Sequence, residues 1–107
     1  MSIYETDKID ASGVDDNTGH LTLFLIDGND WEDEDHHLLL LQEKINLYLS
    51  YIESGQIMNN YPDAADRVIE IVIHFQYEPT PKGIQFLEQV KSIIQDAGYL
   101  FDYHIHS

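Results

Sequence analysis

Cysteine is absent from this chain of 107 residues. That excludes a disulfide framework, a thiol nucleophile and a thiolate metal site, and it fits a reducing compartment. Bases are scarce: 5 Lys and Arg stand against 20 Asp and Glu, a formal net charge of −15. A chain so charged repels nucleic acid and anionic membranes and speeds encounter with basic partners. Long apolar runs are also missing. The longest, Leu23–Ile26 and Leu38–Leu41, are far too short to span a bilayer, and Met1–Asp10 has three acids and no apolar stretch of a signal peptide. The expectation is a cytoplasmic protein. No G-x-S-x-G frames a serine, and the 6 glycines form no phosphate loop. Nothing therefore points to nucleophilic catalysis or to a bound cofactor.

What is present suffices for a core. Apolar residues make up 43% of the chain, enough for one folded domain over residues 1–107. Within Ile3 to Val14, Ile9 and Ala11 alternate with Lys8, Asp10 and Ser12, the pattern of an edge strand. A turn at Asp15–Gly19 leads into a clear strand, His20 to Ile26, with Leu21, Leu23 and Leu25 on one face. Asn29 or Asp30 is placed to cap a helix from about Trp31 to Ser54, with Gly55 as its stop. Its expected apolar stripe is Leu38, Leu41, Ile45, Tyr48, Leu49 and Ile52. An irregular connection, Gln56 to Asp66, precedes the strongest strand, Val68 to Tyr77. Thr80 and Pro81 open a second helix that Gly98 ends, and a last strand starts at Tyr99.

The order is ββαβαβ. Crossovers of one hand lay both helices on the same face of a four-stranded mixed sheet, an α/β (α+β) two-layer sandwich. Parallel strands usually have both faces covered. The second face should carry Phe24, Ile26, Val72 and Leu100 beside Glu70, His74, Asp102 and His104. Either the 56–66 segment or another chain is expected to cover it, a homodimer being one solution.

The charge is uneven. Eleven carboxylates fall in the first 35 residues against the single base Lys8. Part of this has a structural duty, since acids in the first turn of a helix complement its dipole. The remainder, at Asp27, Asp30, Glu32, Asp33, Glu34 and Asp35 with Trp31, forms a candidate edge for a basic protein partner, to which Tyr51 and Tyr61 are added as aromatic contacts. Two carboxylate–histidine groupings are candidates for metal. In Glu32–His37, acids and imidazoles fall three and four apart, as in di-iron bundles, but the second helix offers no histidine. On the second sheet face, Glu70, His74, Asp102 and His104 could hold a metal or act as acid and base, the basis of an alternative reading as a metal-dependent enzyme. The Asp-rich stretches near Asp15 and Asp27 do not match the EF-hand spacing.

Leu25–Trp31, the helix from Leu41 to Tyr51-Ile52-Glu53-Ser54-Gly55, the Tyr61-Pro62 loop, the Ile69–Phe75 strand and Gly83 to Gly98 recur in order in a family of small bacterial proteins that this chain resembles from about Asp7 to Tyr103. That family is known as a domain of unknown function, so the resemblance assigns no residue a role. It implies a bacterial cytoplasmic protein. By analogy with other small acidic bacterial domains, the expectation is a noncatalytic, immunity-like binding protein.

Overall fold

Alternation and turn chemistry set the elements. In a computed structural model, which describes Ile3 and residues 8–106, strands β1 (Ala11–Val14) and β2 (Leu21–Asp27) form a hairpin. The hairpin turn is held by Asp15, whose Oδ1 accepts from the Asn17 amide at 2.7 Å. Helix α1 (Glu34–Glu53), strand β3 (Ile69–Phe75), helix α2 (Pro81–Asp96) and strand β4 (Leu100–Ile105) follow. The sheet order is β1-β2-β3-β4, with β1 antiparallel to β2 and the other neighbours parallel. The expected ββαβαβ architecture is the one observed. Residues 4–7 of the expected edge run, and with them Glu5 and Asp7, lie outside the described residues.

Both helices cover one face of the sheet. Leu21, Leu23 and Leu25 of β2, Ile69, Ile71, Ile73 and Phe75 of β3, and Phe101 of β4 share one core with Leu41, Ile45, Tyr48 and Ile52 of α1 and Leu87, Val90 and Ile94 of α2. Thr80 caps α2 as expected, its Oγ1 accepting from the Gly83 amide at 3.1 Å, with Pro81 at the first helical position. Gly55 (φ +83°) and Gly98 (φ +95°) take the left-handed conformation that terminates each helix. Among the described residues, no helix is long and apolar enough to cross a membrane.

Two expectations are corrected. Helix α1 starts at Glu34, not near Trp31, and its cap is Asp33 rather than Asn29 or Asp30. Trp31 is drawn out of the helix because its ring has better contacts elsewhere, described below. The buried stripe is also turned. His37, Leu40, Lys44 and Tyr51 are buried, while Leu38 and Leu49 are only half-buried. Two polar residues find partners inside, and the helix rotates to deliver them.

The 56–66 segment folds into two short 3₁₀ turns, Gln56–Asn59 and Ala64–Asp66. Ile57 and Ala64 join the helix-side core, and the Tyr61 hydroxyl meets Ser12 Oγ at 2.8 Å. The segment thus closes the covered face and leaves the other one open. There Phe24, Ile26, Glu70 and His74 are half-buried, and Leu100, Asp102, His104 and His106 are exposed.

A buried polar network ties the start of the hairpin to α1. Asp10 Oδ1 accepts from Lys44 Nζ at 2.6 Å, and Oδ2 accepts from the Ile26 amide at 2.9 Å. The Tyr48 hydroxyl donates to the Phe24 carbonyl at 2.6 Å and accepts from the Asp10 amide at 2.9 Å. Burial holds the Tyr48 phenol well above its ordinary value, partly offset by the Asp10 amide. The folded protein therefore keeps a neutral Tyr48. Its stabilising effect is complete below about pH 10, where an unfolded tyrosine is also neutral, and is lost as pH rises further. Tyr48→Phe should cost about 1–3 kcal/mol at neutral pH by leaving the two backbone groups unpaired. It should also flatten the loss of stability above about pH 10, as read by urea unfolding across pH.

Candidate functional site

Ligands of open α/β sheets bind at the carboxyl ends of parallel strands. Here that end is built from the last residue of β2, Asp27, the loop into α1, and the loop after β3. His37, in the first turns of α1, reaches back to Asp27, with Nε2 and Oδ2 2.5 Å apart. Both side chains are buried, 3% and 0% exposed. His37 Nδ1 lies 2.9 Å from the Asp30 carbonyl. A carbonyl only accepts, so Nδ1 carries a hydrogen and donates it. Asp27 Oδ1 accepts from the Asn29 amide at 3.1 Å.

Trp31 lies over this pair. Its ring stacks on the His37 imidazole at 3.8 Å and 18°. It also packs so closely on Gly83 of α2 that a Cβ there would sit 3.1 Å from the indole. Trp31 therefore bridges the two loops at the carboxyl end of the sheet. With both ring nitrogens engaged and one ring face covered, His37 has no free nitrogen to offer a substrate. The Asp27–His37 pair acts as a latch between β2 and α1.

Beside the latch opens a cleft of about 280 Å³, lined among others by Asn29, Asp30, Asp33, His36 and Tyr77. Its Asp30 and Asp33 are exposed, as are Glu32 and Asp35 in the same stretch of chain, and Tyr77 is 46% exposed. Three of these acids have local duties: Asp30 Oδ1 accepts from the Glu32 amide at 3.2 Å, Asp33 Oδ1 accepts from the His36 amide at 3.4 Å as the cap, and Asp35 Oδ1 accepts from Lys82 Nζ at 2.6 Å. The Asp35 carboxylate holds Lys82 above its ordinary value.

The sequence-derived sites divide in space. Asp27 is spent on His37, and Trp31 and Glu34 are half-buried. Tyr51 is buried, its hydroxyl accepting from Asn60 Nδ2 at 2.7 Å, and Tyr61 is half-buried. These tyrosines belong to the far end of α1: sixteen residues separate Asp35 from Tyr51, about 24 Å of helix. The acidic edge and the tyrosines do not form one patch. The acids of the hairpin turn, Asp15 and Asp16, lie at the opposite end of β2 from Asp27.

In the Glu32–His37 run, Glu32 and Asp33 precede α1 and His37 turns to Asp27, so the run does not lie on one helical turn. On the sheet face, His74 and His104 are cross-strand neighbours with ring centroids 5.5 Å apart. His104 Nε2 lies 3.7 Å from Asp102 Oδ2, whereas Glu70 is four residues along β3 from His74, about 13 Å. Among the described residues, no group of three or more His, Asp and Glu is placed to hold a metal.

His106, which alternation puts on the same face, comes closer to His74 than any of the chosen acids: Nδ1 of His74 and Nε2 of His106 are 2.7 Å apart. Burial, then His106 and His104, lower the His74 pKa. The Asp27–His37 and Asp10–Lys44 pairs were missed by sequence reasoning. Their only signal was a polar residue at a position a slightly rotated helix would bury.

Asp27→Ala should destabilise the fold by about 3–5 kcal/mol, because it strands His37 in a buried site. Chemical denaturation measures the loss, and Trp31 fluorescence should shift with it. A change below about 1 kcal/mol would show that the latch is dispensable. No curated protein and no solved structure matches this chain. A family model does match, over residues 1–107, and the chain belongs to that family, DUF6572, a family of unknown function.

Proposed function

We propose that this domain is a noncatalytic binding protein that takes a basic protein surface at its acidic end. The observation that carries this reading is the cleft at the carboxyl end of the parallel strands, lined by exposed Asp30, Asp33 and Tyr77, with exposed Glu32 between the two acids in the same loop. The buried acids nearby are already matched within the fold: Asp27 by His37 and Asp10 by Lys44. The exposed acids form an unbalanced negative field with an aromatic beside it, a combination suited to lysine and arginine side chains. An immunity-like role in a bacterial cytoplasm accords with the small size and the charge of −15.

Immobilised protein should retain a basic partner from a lysate of the source organism at low salt and release it near 0.5 M salt, where the screening length is only about 4 Å. The double variant Asp30→Asn with Glu32→Gln should weaken capture roughly tenfold, mostly through association rate. Absence of any partner, or capture indifferent to salt and to the variant, would remove this reading.

A further inference from the structure

We propose that the open face of the sheet is the contact between two copies of this chain. The inference is independent of the acidic end and rests on a different surface. Strands β2, β3 and β4 are parallel, and both helices and the 56–66 segment lie on the other side. What remains is a face with Phe24 and Ile26 half-buried and Leu100 exposed around Val72, which is itself buried. The edge strand adds only Ala11, opposite Phe24, and Gly13, opposite Thr22, which leave room for an approaching surface.

Charge singles out this face. In a chain of formal charge −15, it carries two carboxylates, Glu70 and Asp102, against three histidines, His74, His104 and His106. Two such chains meet on this face with little repulsion.

The face is also complementary to itself. Glu70 and His74 lie two residues on either side of Val72 in β3, and Phe24 stands beside Val72 in the same row. A twofold axis between the sheets, running across the strands through this row, stacks each strand antiparallel on its copy. Phe24 then meets Phe24 over the row of the buried Val72, and Glu70 meets the partner's His74 twice. The one like-charge contact, Asp102 against its copy, falls on the edge strand beside His104. An axis running along the strands would instead oppose Glu70 to Glu70 and His74 to His74.

Size sets the strength. Four strands about 4.8 Å apart and six residues of about 3.3 Å give a face of roughly 19 by 20 Å. That is below the ~800 Å² per partner of a standard interface, so the dimer is weak and concentration-dependent. pH tunes it. In the single chain burial, then His106 and His104, disfavour the His74 imidazolium. In the dimer Glu70 of the other copy favours its imidazolium, so association binds protons and tightens as pH falls from about 8 to 6.

Sedimentation equilibrium from about 10 μM to 1 mM tests this. The expected result is a monomer–dimer equilibrium whose Kd drops at least threefold between pH 8 and pH 6. Glu70→His and His74→Glu each replace an attractive pair by a like pair and should weaken dimerisation by roughly tenfold or more. The double variant E70H/H74E reverses both partners and should restore it. Phe24→Lys should leave a folded monomer, checked by circular dichroism. A monomer at every concentration and both pH values overturns the proposal. So does a dimer whose Kd is unchanged in the two single variants.

Discussion

Both crossover connections step the same way across the sheet, β2 to β3 to β4. The hand of a βαβ unit is nearly invariant, so two steps in one direction lay both helices on one face. Much of the molecule follows from that constraint. Among the described residues, one face of the sheet receives all the helical cover and the other receives none. The carboxyl ends of β2 and β3 come together with the start of α1, which makes a cleft there and concentrates the acids of the β2–α1 loop around it.

The acidic composition is handled in two ways. Where a carboxylate must be buried, a cation or imidazole is buried with it: Lys44 against Asp10, His37 against Asp27. An unpaired buried charge would cost several kcal/mol, so each pair holds its elements together chiefly because breaking it is expensive. Among the described residues most other acids stay exposed, Asp33 capping α1, Asp35 pairing with Lys82 and Asp63 with Arg67. Neutralisation inside and repulsion outside explain how a domain this charged keeps a packed core while presenting a strongly negative end.

Strand positions, the second helix and the layer arrangement were legible in the residues, because alternation and capping are local. The Thr80-Pro81 start of α2 depends only on backbone groups within one turn. The start of α1 was not legible. Asn29, Asp30 and Asp33 are all competent caps, and what chose Asp33 was Trp31, held outside the helix by His37 and Gly83, the latter fifty-two residues further along. The candidate site suffered in the same way. Asp27 and Trp31, which composition marks as surface contacts, are used internally, and Tyr51 and Tyr61 lie a helix length away from the acids they were grouped with.

By itself the sequence determined the element order, the apolar faces of the strands and the negative charge of the chain, since these depend on residue type and short-range spacing. Only the tertiary structure decided which acids are free. A buried carboxylate needs a partner, and that partner comes from another element: His37 for Asp27, Lys44 for Asp10. Only the tertiary structure, too, brought His106 onto His74 and sent the 56–66 segment to the helix side, because both depend on how distant strands and turns meet around the core.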